Sequence, residues 1–191
     1  MTSSRLEAFS DGVIAILITI LVLTLHIPQG MSWRDLSPLL PDFLSYVLSF
    51  IYLAIYWNNH HHMLKLTRQV SGAILWANMH LLFWLSLIPF TTGWMGQNHF
   101  APQPTALYGI VLLMAALAWQ LLQLAIVRHQ GPGSTLAKAL GSDMKGKLSL
   151  LLYLAGVASA FYQPWIAMAL YVIVALMWLV PDRRFESTIA A

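Results

Sequence analysis

Few side chains in this sequence can do chemistry, and they fall in three short stretches. Arg5, Ser10 and Asp11 lie near the start, His60-His61-His62 stand just before Lys65, and Asn78 and His80 follow soon after. A carboxylate near imidazoles supports three kinds of chemistry. It can order a hydrogen-bond network, pass or sense protons because histidine titrates near neutral pH, or ligate a metal. The histidine run serves the third poorly. Consecutive helical residues diverge by about 100°, so at most two of the three share a ligand sphere, and the run lacks the i,i+4 pair of helical metal sites. The absence of cysteine removes thiolate metal sites, iron–sulfur clusters, cysteine nucleophiles and disulfide scaffolds. No resident metal or cofactor is expected.

The composition restricts what can position these residues. Of 191 residues, 59% are hydrophobic and only 9% charged, with a mean hydropathy of +0.69. A soluble domain carries about 25% charge, and a disordered chain is poor in apolar residues. The formal net charge is +3, but the basic residues are scattered singly and form no patch for nucleic acid. The expected class is an all-α, polytopic membrane protein.

A bilayer-crossing helix needs about 20 apolar residues. Six segments qualify, near 10–27, 43–66, 73–95, 105–127, 148–162 and 165–180. The last two are short and are split by Gln163-Pro164, which is read as a tight turn because one continuous helix would far exceed a bilayer. The first segment is longer than a signal-peptide core, with no small-residue cleavage site after it, so it is expected to be retained. Of the ten Lys and Arg residues, only Arg34 falls on one side of this arrangement; Arg5, Lys65, Arg68, Arg128, Lys138, Lys145, Lys147, Arg183 and Arg184 fall on the other. The positive-inside rule then places both termini in the cytoplasm. The longest loop, 128–147, has no room for a core, so the chain reads as one transmembrane domain, and no internal repeat is evident. Trp94 and Trp165 suit an outer aromatic belt and Trp178 an inner one.

In the first segment, Ile16, Ile20 and Leu23 fall within about 60° of one another around a helix, flanked by Gly12 and Thr19, while Asp11 points about 140° from Ile16. Periodicity alone does not separate a pore wall from packing or lipid contact. Asp11, the histidines and Asn78 share a depth near the cytoplasmic side. Asp11 is expected near the helix start, favoured by the dipole and accepting from Asn78 or a histidine. Ser10 is expected to cap the helix or join the network, and Arg5 to pair with Asp11 or a neighbouring subunit. A structural network, a protonation-sensitive gate and a metal site of Asp11 with two histidines all remain open on the residues alone.

The string Arg5-x-x-x-Phe9-Ser10-Asp11, continued by Gly12-Val13-x-Ala15-Ile16 and Thr19, resembles the R-x-x-x-F-S-D signature of the transmembrane protein 175 family of potassium channels. Trp57-x-x-His60-His61, Asn78 and the run Leu87-Ile88-Pro89-Phe90-Thr91-Thr92 resemble its bacterial members. Asn59, His62 and the weak fifth segment depart from the pattern. The resemblance implies a homotetramer in the cell membrane of a bacterium or archaeon, with a central pore lined by the first helix. Ile16 would form the constriction, Thr19 would line the path and shape ion preference with K+ passing near it, and Ile20 and Leu23 would extend the wall. Arg5, Phe9, Ser10, Asp11, Trp57, His60, His61 and Asn78 would form the motif and its supporting network. A ring of side chains needs several copies of one helix, which cyclic symmetry supplies. There is no T-V-G-Y-G loop for a carbonyl filter, and an intact helix uses its carbonyls internally. Selectivity is therefore expected from side chains and pore width, with an isoleucine ring gating by dewetting.

Two rival classes have less to work with. A transporter, including a proton-coupled one using Asp11, His60 and His61, wants a polar cavity at mid-membrane, but the later segments offer only Gln120, Gln123 and Ser159. An intramembrane metal hydrolase wants clustered acidic residues, and of the seven acidic residues only Asp11 is near a span interior. No enzymatic activity is expected.

Overall fold

The computed structural model describes residues 3–67, 69–140 and 143–179, the side chains of residues 139 and 140 excepted. The first helix, α1 (Ser3–Leu21), tightens into a 3₁₀ turn at Val22–Thr24. A 3₁₀ segment, Trp33–Leu39, leads into α2 (Leu40–Lys65). Then come α3 (Gly72–Ser86), α4 (Ile88–Gln97), α5 (Pro102–Gln130), α6 (Thr135–Leu140), α7 (Met144–Ala160) and α8 (Pro164–Leu179).

Local chemistry sets the ends. The Ser71 hydroxyl caps α3 by accepting from the Ile74 N–H, and prolines open α2, α4 and α5, where a missing N–H costs nothing. Gly131, at φ +91°, ends α5 in a conformation that favours glycine. Leu87 breaks α3 from α4, because Pro89 cannot donate within the turn. The hydroxyls of Thr91 and Thr92 return to the Leu87 and Ile88 carbonyls at that break.

Four stretches are long and apolar enough to cross a membrane: Ser3–Thr24, Trp33–Lys65, Gly72–Gln97 and Pro102–Gln130. The other two expected segments are shorter, at 17 residues for α7 and 16 for α8. They rise about 24–26 Å, against about 30 Å of hydrocarbon. They fold back on each other across residues 161–163, so Gln163-Pro164 is a turn.

The expected start of the first helix is corrected. α1 begins at Ser3, a full two turns before Ser10, so Asp11 sits in the body of the helix and gains little from its dipole, and Ser10 is not a cap. The sequence Ser-Ser-Arg-Leu-Glu reads as a flank by hydropathy, yet Leu6 is buried and draws this turn onto the bundle. The 128–147 connection contains the short helix α6. Arg68, Val180, Pro181, Arg183 and Arg184 lie outside the described residues.

Lipid gives helices no hydrophobic reason to associate, so close packing and interhelical hydrogen bonds must hold them. Tyr171 of α8 is one such point. It is fully buried, donates to the Thr105 carbonyl at 3.3 Å and accepts at its own carbonyl from the Tyr52 hydroxyl at 2.6 Å. Its ring fits only because Gly109 of α5 and Gly156 of α7 have no Cβ; one added at either position would collide with it. A second buried cluster joins α2, α4 and α5: Ser49 meets Thr92 at 2.6 Å and Tyr108 at 3.0 Å. Gly109→Ala is expected to cost about 1–3 kcal/mol by overpacking, seen as a lower thermal unfolding midpoint in detergent; an unchanged midpoint would show that Tyr171 can move aside.

Candidate functional site

One face of α1 is built into the bundle and the opposite face is open. Leu6, Ser10, Ile14, Leu17 and Leu21 are buried against α2, α3 and α4. The uncovered residues form a continuous stripe of Arg5, Ala8, Phe9, Gly12, Ala15, Ile16, Thr19, Ile20 and Leu23. Ile16 is 57% exposed and Leu23 78% exposed, with Ile20 at 42%. Only 28% of the apolar part of this segment is buried within the chain, against 44% for α5. Of the four long segments, this one has the most apolar surface left for something else to cover.

Thr19 stands in the middle of the stripe. Its hydroxyl donates to the Ile16 carbonyl at 2.8 Å. The proton is therefore spent on the helix backbone, and what remains is an oxygen with lone pairs, the kind of ligand a hard monovalent cation takes in place of water. Across Ala8 and Gly12 the stripe is flat, and a Cβ on Gly12 would meet nothing in this chain.

The inner face carries a polar chain. Ser10 donates back to the Leu6 carbonyl at 2.8 Å. Its oxygen accepts from the Asn78 side-chain nitrogen at 3.0 Å, and the Asn78 oxygen meets His60 Nε2 at 2.7 Å. Because the Ser10 proton is used, Asn78 must present its NH2 to Ser10 and its oxygen to His60, so Nε2 of His60 carries the proton. All three side chains are fully buried. Three helices are thus joined: α1 by Ser10, α2 by His60 and α3 by Asn78. Of the two kinds of partner expected for Asp11, Asn78 goes instead to Ser10, and His61 is the histidine brought beside Asp11.

Asp11 belongs to a separate group. The ligand atoms of Glu7, Asp11 and His61 all lie within 4.8 Å of one another, the one convergence of three such donors among the described residues. His61 Nδ1 is 2.6 Å from Glu7 Oε1. The His61 ring stacks on Trp57, with centroids 6.2 Å apart and planes 20° apart, which fixes its orientation. Arg5 is exposed, and the ion pairs among the described residues do not join it to Asp11. Glu7 was not singled out in the sequence, although its i,i+4 spacing to Asp11 is the signal that a helix would make a pair of them. The R-x-x-x-F-S-D string therefore divides by direction: Arg5 and Phe9 outward, Ser10 inward, Asp11 between.

A family model described as the endosomal/lysosomal potassium channel TMEM175 matches residues 5–89. A potassium channel of Chryseobacterium sp. (strain P1-3) is 53% identical over 99% of this chain and 98% of its own length. The chain belongs to the TMEM175 family. The crystal structure of a lysosomal potassium-selective channel TMEM175 homolog from Chamaesiphon minutus matches with a TM-score of 0.83 at 26% identity, covering 94% of this chain and 97% of that one. The human endosomal/lysosomal proton channel TMEM175 is 29% identical over 54% of this chain, which spans 23% of the human protein. TMEM175 membership makes the chain an integral membrane protein, and the family's members are channels, not enzymes. The family model covers α1, α2, α3 and the start of α4, the helices that hold both polar groups and the open stripe.

Replacing Asn78 with Ala removes both of its interhelical bonds and strands Ser10 and His60 in apolar surroundings. With such bonds worth about 0.6–1.7 kcal/mol each in membranes, a loss of about 1–3 kcal/mol is expected. The thermal midpoint in detergent should fall, and fall less for Ser10→Ala; equal midpoints for wild type and Asn78→Ala would contradict the assignment.

Proposed function

We propose that this chain conducts potassium as a homotetramer of six-span subunits, with four copies of α1 meeting on a central axis. The observation that carries this reading is the open stripe of α1. It sets Ile16, Thr19, Ile20 and Leu23 in register along one side of a helix whose other side is bonded to α2 and α3. A chain of this size provides one such helix, and only a rotation axis turns one stripe into a ring. Ala8 and Gly12 on the same face favour close helix approach. Potassium as the permeant ion is supported by the relatives, which are named potassium channels or potassium-selective.

In this arrangement a ring of Ile16 side chains is the constriction. It holds water poorly and resists the passage of an ion that keeps its hydration shell. Thr19 lies one turn further along, where four hydroxyl oxygens replace part of that shell. Dehydration costs sodium more than potassium, so a weak oxygen ring in a narrow apolar neck passes potassium preferentially. Ile20 and Leu23 continue the wall. Arg5 and Phe9 stand at the mouth, and Ser10, Asp11, Trp57, His60, His61 and Asn78 hold α1 at the angle the stripe requires. Both termini lie in the cytoplasm of a bacterial or archaeal cell, as the basic residues suggest, and no cofactor takes part.

A second reading has its own support. Glu7, Asp11 and His61 bring two carboxylates and an imidazole within 4.8 Å of one another, and the human relative is named a proton channel. Liposomes loaded with a pH dye separate the two readings by comparing potassium, sodium and proton flux.

In such liposomes Ile16→Asn is expected to raise potassium flux tenfold or more, a barrier drop of at least about 1.4 kcal/mol. Thr19→Val should lower the preference for potassium over sodium. Unchanged flux in the first variant removes Ile16 as the constriction. Gly12→Leu should leave the single chain folded, since its side chain meets nothing within it, while reducing the tetramer fraction in size-exclusion chromatography with light scattering. A normal tetramer in that variant contradicts contact between copies along this stripe.

A further inference from the structure

The group of Glu7, Asp11 and His61 stands apart from the hydrogen-bonded chain of Ser10, Asn78 and His60. Its composition is also out of balance. Two carboxylates one helical turn apart face a single imidazole, and the ion pairs among the described residues give the group no Lys or Arg. Asp11 Oδ1 and His61 Nδ1 are both shielded by the protein, yet neither has a hydrogen-bond partner among the described residues. His61 Nδ1 lies 2.6 Å from Glu7 Oε1, but without the alignment of a hydrogen bond. The His61 ring lies nearly parallel to that of Trp57, with centroids 6.2 Å apart. Three donor atoms thus converge in a partly buried group, two of them shielded and without a hydrogen-bond partner among the described residues.

We propose that Glu7, Asp11 and His61 form a binding site for a divalent transition-metal ion of the zinc class. Each residue would supply one ligand atom: a carboxylate oxygen from Glu7, one from Asp11, and Nδ1 from His61. Two oxygens and one imidazole nitrogen is a donor set that zinc accepts readily, with water in the fourth position of a tetrahedron. Ligand atoms at about 2.0–2.2 Å from zinc lie about 3.4 Å from one another. The present spread, within 4.8 Å, closes to that by rotation of the two carboxylates. Calcium requires six to eight oxygens, and magnesium keeps most of its water, so neither suits a site with an imidazole and two carboxylates. The i,i+4 spacing that the histidine run lacks is provided by the two acids of α1, with the third ligand coming from α2. A bound ion therefore bridges α1 to α2 next to the Ser10 junction. The site does not depend on α1 lining a pore, so it stands or falls separately from the conduction reading.

The test is metal binding by the whole chain, purified in detergent through a tag without histidine and stripped with a chelator. Zinc chloride is titrated by calorimetry, and Co2+ is titrated by visible absorption as a spectroscopic stand-in. The expected result is one ion per chain, with Co2+ giving the intense visible bands of tetrahedral coordination. Binding should weaken at least tenfold in Glu7→Gln and in His61→Gln, and stay unchanged in His129→Gln. If His61→Gln does not remain monodisperse, Glu7→Gln decides. No saturable zinc binding, or binding that survives the deciding variants, overturns the site. Magnesium competing in the same concentration range overturns the zinc-class assignment.

Discussion

The rotation of α1 about its own axis is the constraint on which the rest depends. It is set by a chain of buried hydrogen bonds running from the Leu6 carbonyl through Ser10 and Asn78 to His60. In a bilayer there is no water to satisfy these groups if they part. A shift of one residue turns the helix by about 100° and breaks the one bond of this chain that crosses to α1, leaving the Asn78 amide N–H unpaired in a buried junction. The network therefore works as a register device.

Fixing one face fixes the other. With Ser10 held inward, Gly12, Ile16, Thr19 and Leu23 cannot lie anywhere but on the uncovered side. This explains why a short polar string precedes a long apolar one in the same helix. Arg5 and Phe9 fall on the open stripe, Ser10 on the closed face, and Asp11 at the boundary where it meets His61 of α2. The string is less a binding motif than a set of instructions for orientation. The same logic accounts for the contrast within the molecule: Tyr171 and the Ser49–Thr92–Tyr108 cluster tie the later helices together, and α1 is, of the four long segments, the one with the smallest share buried within the chain.

Much of this was legible in the sequence. Hydropathy locates the long segments, the proline at 164 marks the final turn, and the common depth of Asp11, the histidines and Asn78 follows from their distances to the helix ends. What failed did so for identifiable reasons. The start of α1 was placed too late because its first turns are polar by composition, while the buried Leu6 that recruits them is one residue among several hydrophilic ones. Charge is conspicuous in a sequence, so Asp11 is expected to accept from Asn78 or a histidine; the structure gives Asn78 to Ser10, one of the two roles expected of that hydroxyl. Glu7 is inconspicuous because the polar start of α1 reads as a flank, so its one-turn spacing to Asp11 has meaning only once that stretch is helical. The stripe of Ile16, Ile20 and Leu23 was visible as a periodicity, but which way it faces depends on tertiary contacts that no local pattern encodes.

The most direct test uses the absence of cysteine from the natural sequence. Ile16→Cys introduces a single thiol at the centre of the stripe, and the protein is reconstituted into liposomes and treated either with a mild oxidant or with a small thiol-reactive cation. If α1 copies meet on an axis, the oxidant yields covalently linked pairs of chains on a non-reducing gel and the cation blocks potassium flux, both reversed by reductant. If residue 16 instead faces lipid, chains stay single under oxidation and flux is unaffected by the reagent, and the placement of α1 at the centre of the assembly is wrong.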